Sequence, residues 1–134
     1  MPSVSNIIFC LDATNSDEHG ACAKTILSAL NPEYIPGLFT FSVIIVLLDV
    51  DLSKTHQLAV DFINPIGENV VNVRTSISTM NKIGNLPEQY QGINIVMDWN
   101  NVNLKVSGKY TIKVTMDEKF LEEKTIFVKG RNES

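Results

Sequence analysis

The sequence predicts an all-β fold, an immunoglobulin-like antiparallel β-sandwich of about seven to nine strands. Apolar runs rich in β-branched and aromatic residues are separated by turn signals about every ten residues, the spacing typical of a sandwich or barrel. The stretch LKVSGKY places Leu104, Gly108 and Tyr110 at the spacing of a tyrosine corner. In such a corner, a tyrosine early in a late strand bonds back to the preceding connection. This motif favours an immunoglobulin-type sandwich over a barrel.

The chain has 134 residues, which suits one domain, because two would each be too small to bury a core. We expect that domain to span residues 1–130, followed by a flexible C-terminal tail over residues 131–134. A content of 44% hydrophobic and 19% charged residues is typical of a globular chain and not of a disordered one.

Charge and hydropathy exclude several partners. The net charge is −4 and the basic residues are scattered, so no basic stripe is available for nucleic acid. The longest apolar run, Val43–Leu48, is too short to span a membrane. The start Met1-Pro2-Ser3 lacks the features of a signal peptide, so we expect a cytoplasmic protein. Cys10 and Cys22 are then expected to be reduced and buried, with a cross-strand disulfide as the alternative after export.

In the first half of the chain we predict strands at 4–13 and 22–30, separated by the polar loop TNSDEHG. The composition of 22–30 also permits a short helix. Residues 31–37, NPEYIPG, are expected to cross between elements, because two prolines exclude a helix interior or a central strand. Residues 39–49 form the strongest predicted strand, which is apolar on both faces.

In the second half, we predict a strand at 57–63, a β-turn at Asn64–Gly67 and a strand at 68–75. Residues 76–91 form a long polar connection without a clear pattern. Residues 92–100 alternate strictly, which indicates a strand with an inward row. The chain ends in a predicted hairpin that turns at 117–119. The inward rows of these last elements are Ile93, Ile95, Met97 and Trp99, followed by Tyr110, Ile112, Val114 and Met116.

The sequence contains no recognisable catalytic or metal-binding motif, so we expect no enzyme, no cofactor and no metal. His19 and His56 both lie in polar segments, where solvent is the expected partner. No zinc-binding spacing is present. The oxygen-bearing residues near the first loop do not follow a calcium-loop pattern; they are Asp12, Asn15, Asp17 and Glu18. If the protein were an enzyme, the first residues to substitute would be Asp12, His19 and Cys22.

Two surfaces are candidates for binding. Ile44, Val46 and Leu48 form an apolar patch on the second face of the strongest strand. Such a patch is expected to contact either a second subunit, as in a two-fold homodimer, or the segment 76–91 folded across it. The other candidate is a ligand patch of Tyr90, Trp99 and Asn101 within an asparagine-rich stretch. For Trp99, a place in the core is the simpler interpretation.

The motifs Cys10 with Asp12, Pro36 with Phe39, Pro65 with Gly67, and Gly108 with Tyr110 and Phe127 resemble those of an uncharacterised bacterial, phage-associated β-sandwich family. That family is known only as a domain of unknown function. The resemblance covers nearly the whole chain, although Leu11 separates Cys10 from Asp12 and residues 76–91 match no motif. It implies the fold and no chemistry, because its motifs are turn and core residues.

These observations predict a non-catalytic protein-interaction or assembly module from a mobile or phage-related bacterial locus. Its expected partner is a protein or a second copy of the chain, and not nucleic acid or a membrane. The alternative is a β-sandwich that binds a small molecule or carbohydrate through Tyr90, Trp99 and Asn101.

Overall fold

The computed structural model describes residues 2–16, 20–51, 53–77 and 92–132, and these form an all-β protein. None of the described residues belongs to a helix that is long and apolar enough to cross a lipid bilayer. The strands in chain order are β1 (Ser3–Ser16), β2 (Gly20–Ile26), β3 (Ala29–Leu30), β4 (Gly37–Leu48), β5 (His56–Ile63), β6 (Asn69–Ile77), β7 (Gly92–Leu104), β8 (Gly108–Met116) and β9 (Lys119–Val128).

The strands form two stacked sheets, which confirms the predicted β-sandwich. One sheet has four strands in the order β2-β1-β4-β7, and the other has five in the order β3-β9-β8-β5-β6. Neighbouring strands are antiparallel except for the short β3, which runs parallel to β9. The two sheets enclose one hydrophobic core.

Alternating side chains from both sheets fill this core, as the period of two predicts. Five aromatic rings lie at its centre, with neighbouring ring centroids between 5.3 and 6.2 Å apart. Burying each such side chain stabilises the fold by roughly 1.5–3 kcal/mol. The five aromatic residues are Phe9, Phe41, Phe62, Trp99 and Tyr110.

Strand β1 changes its pairing partner at Cys10. From Ser3 to Cys10 it pairs with β4, and from Cys10 to Ser16 it pairs with β2. In the sheet order two strands separate β2 from β7, yet Cα atoms of β2 and β7 approach within 8 Å. The β1–β2 hairpin therefore curls across the outer face of the four-stranded sheet.

The predicted strand at 22–30 is two strands in the structure. β2 ends at Ile26, just after Thr25 takes a positive φ of 58°. A left-handed residue bends the chain sharply, and the chain crosses to the other sheet, where Leu30 is fully buried in β3. The prediction of one continuous strand or a helix is therefore wrong.

The two cysteines lie in different environments. Both are free thiols; Cys10 is buried and Cys22 is exposed, so the prediction of two buried cysteines is wrong for Cys22. The strand register places Cys22 opposite Thr14 and Cys10 opposite Ile26. The two thiols are therefore not cross-strand partners.

The C-terminal residues that follow β9 are bonded to the connection before β4. The amide of Arg131 donates to the carbonyl of Pro32 at 2.9 Å. The amide of Ile35 donates to the Oδ1 atom of Asn132 at 3.3 Å. Arg131 and Asn132, which the sequence assigns to the tail, thus contact the folded domain, and residues 133–134 lie outside the described part.

Two predicted turns are confirmed by hydrogen bonds or dihedral angles. At Asn64–Gly67, the amide of Gly67 donates to the carbonyl of Asn64 at 3.0 Å. In the terminal hairpin, Asp117 and Glu118 have φ angles of 51° and 67°, as in the type I′ turns that match strand twist. Lys119 already belongs to β9, so this turn is one residue shorter than predicted.

The predicted tyrosine corner is confirmed. Tyr110 is fully buried, and its hydroxyl donates to the carbonyl of Val106 at 2.7 Å. Burial raises the pKa of this hydroxyl. Gly108 has a φ of +138°, and a Cβ atom there would lie 2.8 Å from the Cγ atom of Pro65. The corner therefore requires glycine two residues before the tyrosine.

Substituting Tyr110→Phe removes one buried hydrogen bond and leaves the ring in place. We expect the free energy of unfolding to fall by about 0.5–1.5 kcal/mol, or up to about 3 if the Val106 carbonyl stays unpaired. Tyr110→Ala should cost more, because it also empties core volume. Denaturant melts measure both losses, and a neutral Tyr110→Phe variant would contradict the role of the hydroxyl.

Candidate functional site

A cleft of roughly 440 Å³ opens at one end of the sandwich. It lies between the loop after β4, the turn between β8 and β9, and the start of the chain. We call it the end cleft. Its lining includes Asp51, His56, Asp117, Lys119, Phe120 and Leu121.

His56 lies at the start of β5 and is only 7% exposed. Its Nδ1 atom is 2.7 Å from Oδ2 of Asp117, and its Nε2 atom is 2.8 Å from the backbone carbonyl oxygen of Asp51. The prediction that solvent is the partner of His56 is therefore wrong. The His56 ring, the Asp117 carboxylate and the Asp51 carbonyl together join the loop after β4 to the β8–β9 turn. We call these three groups the His56 latch.

The partners of His56 determine its protonation state. A carboxylate and a carbonyl both accept hydrogen bonds and cannot donate them. Both ring nitrogens must therefore donate, which only the protonated imidazolium can do. The hydrogen bond that His56 donates to the Asp117 carboxylate is the main cause that raises the pKa of His56. The hydrogen bond to the Asp51 carbonyl raises this pKa further, and burial lowers it. The same bond lowers the pKa of Asp117.

Further hydrogen bonds hold both partners of His56 in place. The Oδ1 atom of Asp117 accepts from the amide of Gln57 at 2.8 Å, and the amide of Asp117 donates to the Gln57 carbonyl at 2.8 Å. The Asp51 carboxylate accepts from the amide and hydroxyl of Ser53 at 3.0 and 2.5 Å. The Ser53 bonds lower the pKa of Asp51. The loop and the turn are therefore positioned before any ligand arrives.

This geometry supports binding better than proton transfer. Both ring nitrogens of His56 carry a proton in the latch. His56 therefore cannot take a further proton from a ligand. Within the described ranges, no three His, Cys, Asp or Glu residues could together hold a metal ion. Phe120, which lines the cleft, has a 60% exposed side chain, and its neighbour Leu121 is half-buried. The cleft thus offers an apolar contact surface with charged residues around it.

Trp99 does not contribute an exposed surface to the predicted ligand patch. Trp99 is 6% exposed, and its ring centroid lies 5.5 Å from that of Phe41 and 5.6 Å from that of Phe62. This confirms its interpretation as a core residue. Asn101 is exposed, and its amide donates to Oγ1 of Thr40 at 3.0 Å. Tyr90 lies outside the described residues.

The predicted interface residues differ in burial. Ile44 is 3% exposed and packs in a small cluster with Cys10 and Ala13 beneath the β1–β2 hairpin. Its burial therefore does not require a second subunit. Val46 and Leu48 are half-buried, and their contact with a second subunit stays a prediction. The alternative prediction, that segment 76–91 covers this patch, falls on residues of which only Ser76 and Ile77 are described.

The candidate enzymatic residues of the first loop lie only partly within the described residues. Asp12 and Cys22 are both exposed, and His19 lies outside the described residues, as do Asp17 and Glu18. Of the calcium candidates, only Asp12 therefore has a described side chain.

Comparison with known proteins assigns the chain to a family. The model of a family of unknown function, DUF6941, matches residues 5–129. The chain belongs to the DUF6941 family. None of the curated proteins matches this DUF6941 chain in sequence.

Among the solved structures that resemble this DUF6941 chain are two from Pseudomonas species. An immunoglobulin-like protein from Pseudomonas aeruginosa has a TM-score of 0.49 and 13% identity, covering 96% of this chain and 97% of its own. The alkylpurine DNA glycosylase AlkC from Pseudomonas fluorescens, bound to DNA containing an abasic site analogue, has a TM-score of 0.51 and 8% identity. That match covers 96% of this chain and 30% of the glycosylase. At these identities the likeness concerns the fold alone.

Sequence reasoning missed the His56 latch because its members lie far apart in the chain. His56 and Asp117 are separated by 61 positions. The polar stretch before His56 is typical of a solvated turn, and the carboxylate of Asp117 is typical of a type I′ turn. Only the pairing of β5 with β8 brings the two side chains together.

The latch predicts a defined dependence of stability on pH. The raised pKa of His56 means that its contribution is full below its ordinary pKa of 6.5 and is lost as the pH rises through the folded-state value. The lowered pKa of Asp117 means that its contribution is lost as the pH falls below its ordinary value of 3.8. The latch should therefore stabilise the protein most between these two ordinary values.

The test compares wild type with Asp117→Asn in denaturant melts across this range. We expect Asp117→Asn to cost about 1–2 kcal/mol near pH 5.5 and less near pH 8.5, where wild type has lost part of the latch. Asp61→Asn is the control, because it removes an exposed ion pair with Arg74 and no histidine. A loss for Asp117→Asn that is the same at both pH values would contradict the imidazolium assignment.

Proposed function

We propose that this DUF6941 protein is a non-catalytic protein-interaction module that binds its partner through the end cleft. The observation that carries this proposal is Phe120, 60% exposed beside a histidine whose nitrogens are both engaged. The cleft therefore offers contact surface, and its histidine is not free to act as a general base.

The end cleft has the composition of a protein-binding surface. Interfaces combine an apolar centre with a polar rim, and aromatic residues contribute most of their binding energy. Here Phe120 and Leu121 supply apolar area, while Lys119 and Asp117 supply charge at the rim. Covering an exposed phenylalanine removes apolar area from water and stabilises a complex by roughly 1.5–3 kcal/mol.

The geometry gives less support to a carbohydrate-binding role. That alternative takes Tyr90 and Trp99 as its aromatic residues. Trp99 packs inside the core, and Tyr90 lies outside the described residues. Asn101 by itself supplies only a single exposed amide. No feature of the described residues favours carbohydrate over a protein partner.

The test places a photo-crosslinking phenylalanine analogue at position 120 in the full chain, expressed in the organism of origin. Position 127 is a matched control, because Phe127 lies on the same strand and is 61% exposed, against 60% for Phe120. We expect a discrete crosslinked product from position 120 that is absent from position 127. Phe120→Ser should lower co-purification of that product, whereas Phe127→Ser should not.

Equal products from both positions, or none from position 120, would contradict the proposed role of the end cleft. Circular dichroism of the four variants checks that each is folded.

A further inference from the structure

One side of the sandwich carries an unpaired strand edge. β1 pairs with β4 through Ser3–Cys10, but β2 pairs with the opposite edge of β1 only from Cys10 onward. Within the described part of the chain, no strand pairs with that opposite edge over Ser3–Ile8. We call these six residues the open edge.

The backbone of Ile7 faces outward along the open edge. The carbonyl of Phe9 accepts from the amide of Leu27 at 2.7 Å, which places the Phe9 backbone groups on the side away from β4. Strand geometry alternates with a period of two, and the register with β4 is continuous from Asn6 to Cys10. The amide and carbonyl of Ile7 therefore point to the same side as those of Phe9.

Side chains satisfy both backbone groups of Ile7 in place of a strand. The Ile7 amide donates to Oδ1 of Asn6 at 2.8 Å. The Ile7 carbonyl accepts from the ammonium group of Lys124, in β9, at 2.8 Å. At Ile7, these bonds satisfy the backbone groups of the strand edge. An edge with unsatisfied backbone groups tends to pair with other chains. Flexible side chains can nevertheless swing away when a strand supplies better partners.

Strand β9, which faces the open edge, also has a backbone amide that is satisfied by a side chain. β3 pairs with β9 only at Phe127 and Val128. Further along β9, the amide of Glu123 donates to the Oε1 atom of Glu122 at 3.1 Å. The amide of Glu123 is thus also bonded by the side chain of the preceding residue.

A groove runs between the open edge and β9. Two cavities of roughly 180 and 330 Å³ lie along it, and Lys124 lines both. The smaller cavity is lined by residues 4–7 of the open edge on one side and by Glu122 and Glu123 of β9 on the other. The larger cavity has apolar walls that include Phe9, Ile26 and Ile126. The groove therefore adds an apolar surface along the open edge.

We propose that the open edge, Ser3–Ile8, binds an extended segment of a partner protein as an added β-strand. The inference rests on the proposed function and names the recognition mode. The backbone of the incoming segment replaces the Asn6 and Lys124 side chains at the amide and carbonyl of Ile7. Alternate side chains of the segment enter the apolar part of the groove.

Charge determines which segment fits. The groove side of β9 carries Glu122, Glu123 and Lys124, a net charge of −1 by residue type, and the whole chain carries −4. The open edge, SVSNII, contains no charged side chain. A second copy pairing through its own open edge would supply no positive charge here. The fitting occupant is a strand with alternating apolar residues and at least one lysine or arginine.

The test selects binders from a phage-displayed library of random linear peptides on the folded, full-length protein. We expect enriched peptides that alternate apolar and polar residues and carry a basic residue. Binding of the strongest peptide is then measured by fluorescence anisotropy. Lys124→Met removes a competing donor and one positive charge, so it should bind the basic peptide more tightly. Lys113→Met, on the outer face of β8, is the matched control and should not.

The decisive variant carries an N-methyl group on the Ile7 amide and no other change. Residues 1–9 are synthesised as a thioester and ligated to the native Cys10, so an unmethylated protein made the same way is the control. The methyl group blocks the outward amide and leaves the β4 ladder intact. We expect peptide affinity to fall at least about tenfold, with unchanged circular dichroism.

A second measurement applies if the methylated protein does not fold. Nuclear Overhauser effects between the peptide and the Ile7 amide in unmodified protein report strand addition directly. The proposal is overturned if no peptide is enriched or if methylation of the Ile7 amide leaves peptide affinity unchanged. It is equally overturned if the nuclear Overhauser effects place the peptide away from Ile7. It is also overturned if wild type is a dimer that methylation dissociates, since the occupant is then a second copy. Phe120→Ser tests the end cleft separately, because position 120 lies outside the open edge.

Discussion

The change of partner at Cys10 is the constraint on which the rest of this structure depends. Because β1 leaves β4 at that residue and continues with β2, the hairpin curls across the four-stranded sheet and covers Ile44. Among the residues that the structure describes, the same change leaves Ser3–Ile8 without a strand on one edge. One feature of the pairing therefore closes an apolar face that water would otherwise meet and opens an edge that a partner can use.

The two proposed binding surfaces differ in how they are held. The His56 latch fixes the loop and the turn around the end cleft with two short hydrogen bonds, at 2.7 and 2.8 Å. The cleft is thus organised before binding, which lowers the entropy cost of association. The open edge is instead satisfied by exposed, flexible side chains, Asn6 and Lys124, which a strand can displace. Both surfaces include residues of β9, Phe120 at the end cleft and Lys124 beside the open edge.

Local patterns in the sequence predicted much of the fold. The alternation of β5, β7 and β8, the Asn64 turn and the tyrosine corner at Tyr110 depend on residues close in the chain. The features that the sequence did not predict depend on pairing between residues far apart in the chain. The split at Thr25 depends on a crossing between sheets, and the His56 latch depends on β5 pairing with β8. The open edge follows from where β2 stops pairing, which no local motif encodes.

Amide hydrogen exchange of the free protein, measured by NMR, tests the open edge most directly. Ile8 faces β4 and Ile7 faces outward, where its amide is bonded only to the Asn6 side chain. The account predicts that the Ile7 amide exchanges at least about tenfold faster than the Ile8 amide, because a side-chain bond opens without unfolding the sheet. Equal protection of the two amides would show that the edge is already paired, and would contradict the account.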